Sequence, residues 1–66
     1  MDFAERFNTV IINHGMDKKK LSKLLGIPYS TFLYKASHET AWNIVDFRNL
    51  IRVMNLSAEE TAFLFP

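Results

Sequence analysis

Hydrophobic residues recur along this chain at the three- and four-residue intervals of an α-helix. The clearest case is the N-terminal segment, where a helix is predicted over residues 2–13. Its core face consists of Phe3, Phe7, Val10, Ile11 and His14. Gly15 stands just past this run and is a typical helix stop. Similar spacing predicts further helices downstream, and no segment alternates like a half-buried strand, so we predict an all-α domain of about five short helices.

A short basic helix, a tight turn and a second helix follow the first. Asp17 is a good N-cap for the basic helix, which is predicted over residues 18–25. Gly26 can adopt the left-handed conformation that commonly ends a helix. Pro28 suits the first turn of the next helix, predicted over residues 29–36, because its missing N–H has no acceptor there.

Apolar residues are predicted to hold these two helices together. Leu21, Leu24 and Leu25 share one face of the basic helix, and Phe32 is expected to pack back against them. Two helices joined by a short glycine turn form the helix-turn-helix motif, here at about residues 17–37, whose second helix enters the DNA major groove. An ordinary pair of packed helices is the competing interpretation, because the motif is short and false matches are common.

The pattern of residues in the C-terminal half predicts a loop and two more helices. The loop covers about residues 37–42, and a fourth helix starts near Asn43. Its inward face is predicted to consist of Ile44, Phe47, Leu50, Ile51 and Met54, with Arg48 and Arg52 on the outer side. Ser57 and Glu60 have the spacing of a capping box and predict the start of a fifth helix.

Composition narrows the class of protein. The chain has 66 residues, which suits a single domain over residues 1–66, and 48% hydrophobic with 23% charged residues is a normal globular balance. There is no cysteine, which excludes disulfides and thiolate metal sites. No apolar run approaches the ~20 residues of a membrane span, and the N-terminus lacks the apolar stretch of a signal peptide. We expect a cytoplasmic protein with no membrane association.

Positive charge is concentrated on one segment of a nearly neutral chain, whose net charge is +1. Between Asp17 and His38 there are five lysines and one aspartate, a net of +4. The remainder has three arginines against six acidic residues, a net of −3. A lysine cluster is most often a solvated face. On the first helix of a helix-turn-helix motif, contacts with DNA phosphates explain it better.

The order of elements resembles the phage repressor and Cro-type helix-turn-helix family, with its lambda repressor-like DNA-binding domain. The resemblance covers about residues 7–65 and is closest to short Cro-like regulators, including repressor modulators, of phages from Gram-positive bacteria. It is carried by Leu21, the turn Leu24-Leu25-Gly26-Ile27, Ser30-Thr31-Phe32, Lys35, Trp42 and the tail LSAEETAFLF. The resemblance implies a sequence-specific DNA-binding transcriptional regulator with its recognition helix, about residues 29–37, in the major groove of double-stranded operator DNA.

The register of that helix and the charge of the preceding one give the candidate DNA contacts. With Phe32 inward, the residues expected to face bases or their flanks are Tyr29, Ser30, Leu33 and Tyr34. The residues expected to contact phosphate are Lys18, Lys19, Lys23, Thr31, Lys35, Ser37 and Asn43. Many repressors have Gln, Asn, Arg or Lys on the base-facing side, because such side chains can form two hydrogen bonds with the edge of one base. Leu33 and Tyr34 occupy the central positions here, so this helix would read guanine poorly.

Two functions of different classes stay open at this point. The first is a DNA-binding regulator, which could form a weak homodimer only on DNA or only at high concentration. The second is an antirepressor or modulator that binds a partner repressor protein through Leu33 and Tyr34. In the aromatic tail, Phe63 and Leu64 are predicted to return to the core. Phe65 either packs there too or stays exposed and seeds a dimer.

The sequence has no recognisable enzyme motif. His38-Glu39 begins like the zinc-protease motif H-E-x-x-H, but Trp42 replaces the second histidine. The other histidine, His14, is expected at a helix end near the C-terminal dipole. Ser30 has no recognisable histidine partner, and the two glycines form no phosphate-binding loop. We therefore predict no catalytic residue, no metal site and no cofactor.

Overall fold

The computed structural model describes all 66 residues and consists of five α-helices with no strand. The helices are α1 (Phe3–Asn13), α2 (Lys18–Leu25), α3 (Tyr29–Ala36), α4 (Ile44–Met54) and α5 (Ala58–Leu64), with a 3-10 turn at Glu39–Ala41. The all-α prediction is confirmed, and the predicted limits of α2 and α3 agree with the structure. None of the helices combines the length and the apolar composition needed to cross a bilayer.

Local capping sets the helix ends that the sequence predicted. The Asp17 carboxylate accepts a hydrogen bond of 2.7 Å from the backbone N–H of Lys20. Gly26 ends α2 in the left-handed conformation, with φ at 71°. At the start of α5, the side chains of Ser57 and Glu60 each accept from the other's backbone N–H, which completes the capping box.

One hydrophobic core joins the helices. It contains Phe3, Phe7, Val10, Ile11, Leu21, Phe32, Ala36, Leu50, Met54, Leu56 and Leu64. Phe32 is fully buried, as predicted, and its ring centroid lies 5.9 Å from that of Phe7. Trp42 meets Phe7 in a T-shaped pair at 5.6 Å. Aromatic pairs of this kind add about 0.5–1.5 kcal/mol beyond the area they bury, which matters in so small a domain.

The prediction that a residue faces the core is wrong at three positions. Leu24 is 52% exposed, Ile44 60% and Phe63 41%. A short helix buries only a narrow stripe, and successive residues are turned by about 100°. The stripe of α2 runs through Leu21, which leaves Leu24 on the flank. In α5 the buried position is Leu64, so its neighbour Phe63 turns outward, and Ile44 stands in the first turn of α4 at the edge of the core.

The C-terminal helix is attached to the rest of the domain by an aromatic contact and an ion pair. Phe65 packs rather than staying exposed, with its ring centroid 5.4 Å from Phe3 and 5.0 Å from Phe47. His14 caps the end of α1, and its Nε2 lies 2.6 Å from Oε2 of Glu60. These contacts place α5 against α1.

Candidate nucleic-acid interface

The side of α3 opposite its buried residues is open to solvent. Only Phe32 is fully enclosed among the central residues of this helix, and Tyr29, Leu33 and Tyr34 are 39%, 40% and 58% exposed. Ser30 is exposed as well. These residues recur at four-residue spacing, so they lie on one side of the helix. We call this surface the α3 face, and it contains all four residues predicted to face bases: Tyr29, Ser30, Leu33 and Tyr34.

The lysines of α2 have no acidic partner. None of the protein's ion pairs includes Lys18, Lys19, Lys20 or Lys23, which we call the α2 lysines. Three of them are exposed and Lys18 is half-buried. The Nζ of Lys19 lies 5.6 Å from the centre of the Tyr29 ring, so this basic surface adjoins the α3 face. Their ammonium groups are therefore free to bind anions.

Lys35 differs from the other residues predicted to contact phosphate. Its Nζ lies 2.8 Å from the Asp46 carboxylate and donates to the carbonyl oxygen of Ala41 at 2.6 Å. The side chain is only 12% exposed and lies over the Trp42 ring. This ammonium group ties α3 to the 3-10 turn and to α4. It is not free for a phosphate in this structure, and we leave it out of the proposed interface.

The remaining predicted phosphate contacts are small polar residues that are exposed: Thr31, Ser37 and Asn43. The Ser37 hydroxyl donates to the carbonyl oxygen of Tyr34 at 3.2 Å, at the C-terminal end of α3. Asn43 caps α4, and its side-chain oxygen accepts from the Asp46 backbone N–H at 2.8 Å. That bond occupies the side-chain oxygen of Asn43, and no hydrogen bond within the protein uses its NH2 group, which lies at a helix N-terminus that favours anions.

His38 extends the α3 face past the end of the helix, a role that the sequence analysis did not assign. Its ring stacks on the Tyr34 ring, with centroids 4.1 Å apart and planes inclined by 14°. The Nδ1 atom lies 2.8 Å from the carbonyl oxygen of Tyr34. The four-residue spacing of the two aromatic residues is a signal that could have revealed the pair.

The protein has one surface groove, which lies away from the α3 face and is acidic. A shallow groove of about 370 Å³ separates α1 from α5 and is lined by Thr9, Val10, Asn13, Glu59, Glu60 and Phe63. It has carboxylates and no basic side chain, so it does not suit a nucleic acid. No three His, Asp or Glu side chains lie together where they could hold a metal ion.

No family model, curated protein or solved structure matches this chain. The resemblance to phage repressor and Cro-type proteins therefore stays an expectation based on sequence motifs. The structure supplies an all-helical domain with an exposed α3 face beside unpaired α2 lysines, and the proposed function depends on that geometry.

Proposed function

We propose that this protein is a sequence-specific DNA-binding regulator of transcription. In this proposal the α3 face enters the major groove and the α2 lysines contact the phosphate backbone. The observation that carries it is the juxtaposition of unpaired lysines with an exposed helix face, joined where Lys19 Nζ lies 5.6 Å from the Tyr29 ring. Phosphate contacts supply affinity and position the protein, while contacts to base edges supply specificity.

The dimensions and chemistry of α3 support this role. α3 is a regular α-helix of eight residues, and a helix with its side chains is about 10–12 Å across, which fits the major groove of B-DNA, about 12 Å wide. Leu33 and the tyrosine rings offer apolar contacts to the thymine methyl group, and Ser30 offers a hydroxyl. The α3 face has no Arg, Lys, Asn or Gln, so we expect a preference for A·T-rich sites over sites that require guanine recognition.

Removing two of the α2 lysines tests the backbone contacts. Lys18→Ala plus Lys19→Ala should weaken binding to duplex DNA with little loss of stability. Positive side chains near the N-terminus of a helix interact unfavourably with its dipole, so their removal does not destabilise α2 in this respect. Each lost phosphate contact should reduce the slope of log K against log salt by roughly 0.9. The measurement is a DNA titration at several salt concentrations.

The matched control removes the same charge from another helix. Arg48→Ala plus Arg52→Ala takes two exposed cations from α4, where Arg52 bonds only the Asn49 side chain. We expect its salt slope to stay close to that of the wild type. An unchanged slope in the lysine variant, or an equal reduction in both variants, would contradict the assignment of the phosphate-binding surface to α2.

One observation favours a second candidate function, that of an antirepressor that binds a repressor protein. Leu33 and Tyr34 are 40% and 58% exposed at the centre of the α3 face. Neither type of side chain can form the two hydrogen bonds with one base edge that Arg, Asn or Gln can form. Exposed tyrosine side chains such as that of Tyr34 are frequent energetic centres of protein interfaces. The same face could therefore bind a protein instead of DNA.

Replacing both residues separates the two functions. Leu33→Ala plus Tyr34→Ala should change stability little, because surface substitutions usually stay within about 0.5 kcal/mol. If the protein reads DNA, the variant should lose preference for a duplex selected from a random pool but keep salt-dependent binding through the α2 lysines. If it is an antirepressor, wild-type DNA binding should be weak and the variant should lose its repressor partner. Retention of both activities would contradict both functions of the α3 face.

A further inference from the structure

The stacked pair of Tyr34 and His38 is the part of the α3 face whose role the proposed function leaves unassigned. The imidazole lies one helical turn beyond Tyr34, outside α3, which ends at Ala36. Its ring is held in two ways. It stacks on the tyrosine at 4.1 Å, and its Nδ1 is 2.8 Å from the Tyr34 carbonyl oxygen. The imidazole is thus oriented by the protein although it is exposed to solvent.

The hydrogen bond decides which ring nitrogen can interact with a ligand. A carbonyl oxygen only accepts, so Nδ1 of His38 must carry the hydrogen of this bond. The Ser37 hydroxyl, 3.2 Å from Nδ1, lies on the same side of the ring. No hydrogen bond within the protein engages Nε2. In the neutral ring Nε2 is an acceptor, and in the protonated ring it is a charged N–H donor.

The charged groups nearest to His38 along the chain are already paired. Glu39, in the 3-10 turn, lies 3.2 Å from Arg6 of α1, and Lys35, in α3, is bound to Asp46 of α4. The remaining titratable group against the imidazole is the Tyr34 phenol, and no ion pair of the protein includes His38. A charge that forms on Nε2 therefore has no protein counter-ion and is available to an external anion.

We propose that His38 is a proton-dependent phosphate contact, which strengthens DNA binding when its imidazole is protonated. This inference rests on the proposed DNA-binding function. A recognition helix contacts base edges chiefly with its N-terminal residues. A residue just past the C-terminal end of α3, which is Ala36, therefore comes toward the edge of the groove, where the phosphates lie. Histidine is the side chain that ordinarily changes charge between about pH 5 and 8, so affinity should follow pH in that range.

The size of the effect follows from counterion release. One additional phosphate contact steepens the slope of log K against log salt by roughly 0.9, which corresponds to about an eightfold gain in affinity at about 0.1 M salt. The gain should appear as the pH is lowered through the range in which histidine titrates. At high salt the difference should shrink, because the same slope makes each phosphate contact weaker there.

The experiment is a titration of a labelled duplex by fluorescence anisotropy across that pH range, with the fold checked by circular dichroism at each pH. His38→Gln cannot gain a proton and should bind with nearly the same affinity throughout. His38→Lys carries a permanent charge and should bind tightly throughout, without the pH response. His14→Gln is the matched control. It removes the other histidine, which is paired with Glu60 at the far end of α1, and should behave as the wild type.

Each outcome decides the question. A wild-type response of about eightfold that is lost in His38→Gln and kept in His14→Gln supports the proposal. A wild-type protein that binds DNA with no pH response, or a His38→Gln variant that keeps the response, overturns the role of His38 and leaves the proposed function standing. A wild-type protein with no salt-dependent binding at any pH overturns the proposed function itself, and this inference with it.

Discussion

Replacing Phe32 by alanine tests the register of α3, on which the α3 face depends. The Phe32 side chain is fully buried, and its ring lies 5.9 Å from that of Phe7 in α1. The next residue, Leu33, is 40% exposed on the α3 face. One step along the helix therefore separates the residue that anchors α3 in the core from a residue proposed to contact a partner.

The expected loss of stability is comparable with the whole stability of the domain. Truncation of a buried phenylalanine typically costs about 3–5 kcal/mol, from lost transfer energy and from the cavity that remains. The pair with Phe7 supplies about 0.5–1.5 kcal/mol within that range. A chain of 66 residues at about 0.05–0.15 kcal/mol per residue has roughly 3–10 kcal/mol of total stability, and small domains lie near the lower end. We therefore expect Phe32→Ala to be largely unfolded or only marginally folded.

The assay is urea unfolding followed by the fluorescence of Trp42. Trp42 is a good probe of the core because its ring lies 5.6 Å from Phe7 and 6.2 Å from Phe65. Leu33→Ala is the control on the same helix, and we expect it to lose no more than about 0.5 kcal/mol. If the wild type and Leu33→Ala have equal dependence on urea, the difference between their midpoints measures stability alone.

Two results would refute this account of α3. A Phe32→Ala variant with an unfolding midpoint near that of the wild type would show that Phe32 is not the anchor. A Leu33→Ala variant that loses as much stability as Phe32→Ala would shift the buried stripe by one residue. Either result would mean that Tyr29 and Tyr34 lie elsewhere relative to the core, and the α3 face would then have no structural basis.

Two further predictions concern the turn after α2 and the C-terminal helix. Gly26→Ala should lower the free energy of unfolding by about 1–2 kcal/mol, because φ at this position is 71°, a left-handed conformation that is costly for alanine. The added Cβ would meet no atom within 4 Å, so the cost comes from the backbone conformation alone. The measurement is thermal unfolding, and an unchanged midpoint would contradict the prediction. The pKa of Glu60 is lowered from 4.5, first by the hydrogen bond from the Ser57 backbone N–H and then by His14. The stabilisation from a carboxyl with a lowered pKa is present above pH 4.5 and is lost as the pH falls through the folded-state pKa. Glu60→Gln should lack this acid-side loss in melting temperatures measured from neutral to acidic pH, and curves of equal slope for both proteins would argue against it.

The sequence by itself determined the elements whose causes are local. The ends of α2 follow from Asp17 and Gly26, and the start of α5 follows from the pair Ser57 and Glu60. A cap or a turn depends on atoms within four residues, so its pattern can be recognised without knowing the neighbours. The burial of Phe32 was also predictable, because it stands one helical turn after Pro28, at the position from which α3 packs back against the leucines of α2.

Only the tertiary structure decided which flanks are covered and which charges are paired. The sequence pattern assigned Leu24 and Phe63 to the core, but the neighbouring helices cover only one stripe of α2 and of α5, and both residues are exposed. Lys35 belongs to the lysine-rich segment in sequence, yet the packing of α4 brings Asp46 within 2.8 Å of it. The orientation of His38 also requires the end of α3 and its stacked tyrosine. Such contacts depend on how helices cross, which hydrophobic periodicity along a single chain does not determine.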